Sequence, residues 1–239
     1  MKPLAGKIAI VTGAGRGIGR ATALLLGQSG ARVVLASRSE FELSAVSEEI
    51  TKQNGEALAV STDLTRDDEM ERLVNRALEH WGSVDYLINN AGWGSTAPVI
   101  KAKVEDWDRT LQVNLRAPMI LSQLVLPTLI EKGEGAIINI GSISARAGQA
   151  NTAAYSASKS GLISFTESLY EEVREYGIKV AVILPGFVDT ALIPPTRRLD
   201  RSKMIRPEDI AQTVFFVLTC SPNCCPVEIA VRPQRTPYK

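Results

Sequence analysis

One histidine and three cysteines in 239 residues leave little to build a metal centre or a disulfide framework from. The cysteines, Cys220, Cys224 and Cys225, crowd into one stretch near the end of the chain, and His80 lies in an early helical segment. A tetrahedral site needs a fourth ligand beside such a trio, so no metal is expected. The odd count reads as free thiols rather than bridges. Charge of one sign is missing too: 27 Lys and Arg stand against 26 Asp and Glu, with no basic arm and no acidic tail. Such a chain exerts no broad attraction on nucleic acid or a membrane surface. No apolar run approaches the ~18 residues needed to span a bilayer. The first strand-like run begins at Lys7, which leaves no room for a signal peptide. A soluble, cytoplasmic protein is expected. Internal repeats and low-complexity linkers are also lacking, so residues 1–239 are expected to form a single domain.

What is present is alternation. Apolar strand-like runs at 7–12, 32–37, 56–61, 84–89, 135–140, 178–184 and 227–231 are separated by helix-like segments. That order predicts an α/β fold with a doubly wound, mostly parallel, seven-stranded sheet. In such sheets ligands bind beyond the carboxyl ends of the strands, near the point where strand order reverses. Four segments should meet there: the loop after the first strand, Asn89 to Gly92 after the fourth, Ser142 after the fifth, and Pro185-Gly186 after the sixth.

The first of these is Gly13-Ala14-Gly15-Arg16-Gly17-Ile18-Gly19, running straight into an apolar-periodic helix. Lacking a Cβ, Gly13 can turn tightly, Gly17 can let a pyrophosphate approach the backbone, and Gly19 can pack helix against sheet. The helix start then offers free N–H groups, Ile18 among them, and a positive dipole end to phosphate.

A second motif concerns protons. Ser142 ends an apolar strand, and Tyr155-Ser156-Ala157-Ser158-Lys159 opens a helical stretch. Side chains four apart stack on one helix face, which sets the Lys159 ammonium beside the Tyr155 phenol. At about 4 Å and an effective dielectric near 20 their attraction is ~4 kcal/mol before desolvation, favouring the phenolate. Tyr155 is therefore expected to titrate nearer physiological pH than a free tyrosine.

Taken in register, Thr12 to Gly19, Asp63, Asn89-Asn90-Ala91-Gly92, Asn114, Ser142, Tyr155, Lys159 and Pro185-Gly186 resemble the short-chain dehydrogenase/reductase family over nearly the whole chain. The resemblance implies hydride transfer between a nicotinamide and a carbonyl carbon. Tyr155 would be the acid and base, Ser142 a second hydrogen bond to the reacting oxygen, and Lys159 a group that lowers the tyrosine pKa, with Tyr155 and Lys159 both hydrogen-bonding the nicotinamide ribose. Asn114, in a long helix from about Glu105 to Ile130, would hold a water linking the lysine to solvent. It further implies that Asp63 and Leu64 border the adenine, that Asn90, Ala91 and Gly92 lie over the adenosine ribose, and that Val188 and Thr190, just past Pro185 and Gly186, hold the carboxamide. Asp63 reads equally as a cap for the next helix, and Thr190 as a loop hydroxyl.

Charge selects the cofactor. A dinucleotide with a free ribose 2′-hydroxyl is met by an acid after the second strand, and a 2′-phosphate by a cation. Here Ser37 and Arg38 occupy that turn with no acid, and Arg16 stands in the glycine loop, so NADP(H) is expected. A substrate pocket is expected from Trp93, Gly94, Ile143, Ser144, Gln149, Asn151, Phe187, Leu192 and Ile193, with Arg146, Arg197 and Arg198 within reach. Residues 187–206 read as a loop of ~20 residues, typical of a lid.

Within the family, the Asn-Ile-Gly-Ser and Tyr-Ser-Ala-Ser-Lys regions resemble 3-oxoacyl-acyl-carrier-protein reductases. Two features differ: Glu131, Glu134, Glu171 and Glu172 outnumber Lys132 and Arg174 on the helices taken to flank the pocket, and the last strand, Pro226 to Val231, resembles reductases of small hydroxy acids or diketones. The expected partners are a small carbonyl or alcohol substrate and further copies of the chain, as a dimer or tetramer. A nucleotide-binding sensor or scaffold is the non-enzyme alternative, disfavoured because Tyr155 and Lys159 are both present.

Overall fold

The computed structural model describes residues 2–193 and 196–238; Pro194 and Pro195, inside the segment expected to be a lid, lie outside the described residues. Strands and helices alternate as β1 (Ile8–Thr12), α1 (Gly17–Gln28), β2 (Arg32–Ser37), α2 (Glu40–Lys52), β3 (Glu56–Ser61), α3 (Asp67–Trp81), β4 (Tyr86–Asn89), α4 (Val104–Leu111), α5 (Ala117–Lys132), β5 (Gly135–Ile140), α6 (Ala153–Val173), β6 (Ile178–Pro185), α7 (Pro207–Thr219) and β7 (Glu228–Val231). All seven strands pair in parallel in the order β3-β2-β1-β4-β5-β6-β7. The reversal between β1 and β4 opens a crevice at their carboxyl ends.

Period-2 alternation within β1 explains why both faces are covered. Ala9 and Val11 point into one core with Leu26 of α1, Ile50 of α2 and Val214 of α7. Ile8 and Ile10 point into the other, with Leu73 of α3, Leu121 and Val125 of α5, and Leu169 of α6. Each fully buried Leu, Ile or Val contributes ~1.5–3 kcal/mol. The amino edge of the sheet is pinned by Asp85, buried before β4, whose carboxylate accepts from the Ile8 N–H at 2.7 Å and pairs with Lys132.

Two expectations change here. The helical run Val104–Lys132 is, by length and composition, long and apolar enough to cross a bilayer, although no stretch of the sequence was expected to reach that measure. In the fold its Ala117, Leu121, Val125 and Leu129 are buried against the sheet. The charges at the ends of α5 and α6 do not flank the pocket either. Those helices run antiparallel to the strands, so their last turns reach the opposite edge, where Glu134 pairs with Lys7 at 2.6 Å and Arg174 with Glu171 at 3.2 Å.

Candidate active site

A cleft of about 1000 Å³ lies over the carboxyl ends of the strands. It gathers the glycine loop, the turns after β2, β3 and β4, Ser142 and Ile143 after β5, the start of α6, and residues after β6. One end is basic and the other largely apolar.

At the basic end, Gly13 has φ +65° and Gly17 φ +55°, a region that costs most residues other than glycine. A Cβ on Gly19 would come within 2.2 Å of the Gly13 carbonyl, so α1 starts where only a bare backbone fits. The α1 N-cap, Arg16, makes no side-chain cap bond, and the first turn carries no acid, so its N–H groups serve no local carboxylate. Opposite, the Thr190 methyl would lie 3.1 Å from a Cβ on Gly17, closing the loop after β6 against the glycine loop. Asn90 works downward rather than into the cleft. Its amide donates to the Thr12 carbonyl at 2.8 Å, while the Asn90 and Ala91 N–H groups donate to the Thr12 hydroxyl at 3.0 Å, fastening β4 to β1.

Ser37, Arg38, Asp63, Leu64 and Gly92 line this end too. Burial pushes the Asp63 carboxyl up, but the Thr65 N–H and hydroxyl, with the charges of Arg38 and Arg109, bring it below its ordinary value. Its turn with Thr65, at 3.0 Å to the N–H and 2.9 Å to the hydroxyl, makes it a turn-former ahead of α3 as well as a cleft residue. Glu42 of α2 also reaches the cleft, 4.0 Å from Arg16, an acid one helical turn beyond Ser37 and Arg38.

At the other end, Tyr155, Ser142 and Lys159 meet on the cleft floor. α6 is held there by its own polar groups. The Ser158 hydroxyl donates to the Tyr155 carbonyl at 2.7 Å, the Ser160 hydroxyl to the Ala145 carbonyl at 2.7 Å, and Lys159 Nζ to the Ile140 carbonyl at 2.7 Å. The expectation that Lys159 lowers the tyrosine pKa is corrected. Burial raises the Tyr155 phenol above its ordinary value, offset in part by the hydrogen bond with Ser142. Helical stacking brought the two residues to one face, but the ammonium turned to the β5 carbonyl, and burial lowers its own pKa to about 8.

Asn114 sits in a π-turn, Gln112–Arg116, between α4 and α5. The wide turn buries its side chain, which accepts from the Trp93 N–H at 2.8 Å and donates to the Trp93 carbonyl at 2.8 Å and the Ser158 hydroxyl at 3.1 Å. Its amide is thus spent on holding the chain after β4 against α6. Gly94 follows, and a Cβ there would meet the Tyr155 ring at 3.0 Å. The backbone of this turn forms one wall beside the phenol.

Trp93, Gly94, Ile143, Ser144, Gln149, Phe187, Leu192 and Ile193 line the cleft as expected, and so do Pro185, Gly186 and Val188. Asn151 does not. With φ +69° it forms the turn before α6, its carbonyl accepting from the Ala97 N–H at 3.0 Å, and Thr152 takes its place in the cleft. Arg146 is turned away to Glu228, and Arg197 and Arg198 lie outside the lining. Three arginines not anticipated line the cleft instead, among them Arg20 of α1, which pairs with Glu49. Arg109 lies over the Trp93 ring, 5.2 Å from its centroid, and Arg201 pairs with Asp189 while donating to the Thr190 carbonyl at 3.0 Å and the Ile193 carbonyl at 3.2 Å. Arg109 falls five residues before Asn114, about 140° away round a regular α-helix, so neither it nor Arg201 carried a sequence signal.

The model for the short chain dehydrogenase family matches residues 7–199. An uncharacterised oxidoreductase of Staphylococcus aureus is 37% identical over 233 residues, 98% of this chain and 100% of its own length. Another, from Staphylococcus haemolyticus, is 36% identical over 235 residues, again 98% of this chain and 100% of its own. Among solved structures, a metagenomic short-chain oxidoreductase in complex with NADP has a TM-score of 0.87 at 36% identity, covering 98% of this chain and 100% of that one.

Proposed function

The chain belongs to the short-chain dehydrogenase/reductase family, and from that premise we propose that it is an NADP(H)-dependent oxidoreductase interconverting a ketone and a secondary alcohol. The observation that carries this reading is the meeting of Tyr155, Ser142 and Lys159 on the floor of a cleft whose far end is the glycine loop. That far end suits a dinucleotide. Gly13, Gly17 and Gly19 keep side chains out of the pyrophosphate cradle, and the α1 N–H groups face it. Arg16, Ser37 and Arg38 stand where a 2′-phosphate would be met, and the similar solved structure was determined with NADP. A dinucleotide held by that end would supply or accept the hydride at its nicotinamide.

The residues of the chain handle the oxygen and its proton. Tyr155, its phenol pushed up by burial, carries its proton at neutral pH and gives it to the developing alkoxide during reduction. The Ser142 hydroxyl bonds the same oxygen, stabilising charge as it forms. Lys159, protonated below about pH 8, brings positive charge to the floor. Asn114 is a positioning residue, fixing Trp93 and with it the wall of Gly94.

For substrate, the apolar lining of the outer half, Ile143, Phe187, Leu192 and Ile193, favours a neutral or long carbonyl compound such as a 3-oxoacyl thioester. Arg146 is committed to Glu228 and Arg201 to Asp189, which leaves Arg109, over the Trp93 ring, as the arginine on that side with no acidic partner among the described residues. Exposed Leu111, Met119 and Ile130 along the Asn114 helix, and Phe216 on α7, support self-association as a dimer or tetramer, which sedimentation decides.

The test is Tyr155→Phe assayed by NADPH consumption against ketones, diketones and 3-oxoacyl thioesters. Wild type should turn over members of the panel, and the variant should lose at least ~10³-fold in kcat with NADPH affinity unchanged. Retention of most of kcat would sink the mechanism, and a wild type that binds NADPH but consumes none would make the chain a sensor or scaffold.

A further inference from the structure

Beyond β7 the chain turns back toward the cleft. Pro237 is buried, and its carbonyl accepts from the Asp200 N–H at 2.7 Å. Tyr238 forms an antiparallel bridge with Leu199, and its ring meets Phe187 edge to face, centroids 5.4 Å apart and planes at 84°. Phe187 and Leu199 both line the cleft. They lie on the two flanks of the chain between β6 and α7, Phe187–Ile193 and Thr196–Ile205. The flanks are tied at their base, where the Ile205 N–H donates to the Phe187 carbonyl at 2.9 Å and the Asp189 N–H to the Ile205 carbonyl at 2.8 Å. Farther out, Arg201 staples one flank to the other through Asp189, Thr190 and Ile193. None of these bonds fixes the Phe187 ring. Among the described residues, Tyr238 is the one aromatic partner of that ring.

We infer that Tyr238 is a positioning residue for the substrate: its ring, held by the Leu199 bridge and the Pro237 carbonyl, braces Phe187 and Leu199 from behind and so sets the width of the outer cleft. The inference rests on the proposed function in taking that half of the cleft as the substrate's. It follows that Tyr238 governs how tightly a carbonyl compound with an extended apolar chain is held, and has no part in the proton step. An edge-to-face pair supports the braced arrangement about fivefold over the unbraced one.

The experiment compares Tyr238→Ala and Tyr238→Phe with wild type. Tyr238 is 54% exposed, so its replacement leaves the two cores intact. The first readout is the rate of tryptic cleavage after Arg197 and Arg198, both exposed on the braced flank, which requires no turnover. Tyr238→Ala should be cut about fivefold faster, and Tyr238→Phe, which keeps the ring, as slowly as wild type. The second is kinetic. For the longest carbonyl substrate accepted, Tyr238→Ala should raise KM about fivefold with kcat and the NADPH dissociation constant within about twofold of wild type, and Tyr238→Phe should restore KM. Unchanged cleavage and KM in Tyr238→Ala would overturn the inference, as would a loss of kcat at constant KM or a Tyr238→Phe variant as impaired as the alanine. Failure of every panel substrate would refute the proposed activity and leave the proteolysis result to decide the brace.

Discussion

Replacing Lys159 by methionine is expected to stabilise the protein at neutral pH while abolishing its activity. Lys159 is 4% exposed, its amine donates to the Ile140 carbonyl at 2.7 Å, and burial lowers its pKa from the ordinary 10.5 to about 8. At pH 7 the folded chain therefore carries a buried charge at a cost of about 3 kcal/mol relative to the unfolded one. Methionine fills much the same slot without that charge, but leaves the Ile140 carbonyl without its donor, a loss of ~1–3 kcal/mol. The net gain at pH 7 is up to about 2 kcal/mol. The pH dependence is the sharper signature. Because the folded pKa lies below the unfolded one, the unfolded chain binds more protons between about pH 8 and 10.5, and raising pH through that window relieves the cost in the wild type alone. From pH 7 to 9.5 wild type should gain about 2 kcal/mol on the variant, read as the difference between paired urea titrations. Groups common to both proteins cancel in that difference. A stability gap that stays flat across the range, or widens in favour of the variant, would refute the reasoning.

Arg38→Asp is expected to weaken NADPH by about 10- to 100-fold while NADH changes little, because the new carboxylate would repel a 2′-phosphate and add to the acid already at Asp63. Equal loss of both in a fluorescence titration would remove Arg38 from the phosphate site. Gly94→Ala sets a Cβ 3.0 Å from the Tyr155 ring. The ring must give way by a few tenths of an ångström, so kcat should fall about tenfold with NADPH affinity unchanged, and a wild-type kcat would show that the wall is soft.

The sheet was legible because burying both faces of parallel strands demands unbroken apolar runs, as in Ile8 to Thr12 and Ile178 to Pro185. The glycine loop was equally so, since the positive φ at Gly13 and the contact of Gly19 with a carbonyl admit no other residue. What sequence periodicity could not deliver was orientation. Tyr155 and Lys159 share a helix face as expected, yet which neighbour takes the ammonium depends on where β5 ends, and the Ile140 carbonyl takes it. Similarly, Asn151 and Thr152 adjoin in sequence, and only the left-handed turn at Asn151 decides which faces the cleft. Arg201 and Tyr238 were invisible for a further reason. Their partners, Asp189 and Phe187, lie 12 and 51 residues away across irregular backbone that has no period to read.

The π-turn at Gln112–Arg116 is, in effect, a phase shifter. A helix advances about 100° per residue, so the surplus residue of a wide turn rotates everything downstream by roughly that angle relative to an uninterrupted α-helix. Arg109 before the turn and Val113 within it face the cleft; downstream, Leu121, Val125 and Leu129 face the sheet. A chain with one residue deleted between Gln112 and Arg116 would keep every side chain but Asn114 or one of its neighbours, and could no longer aim both halves at once.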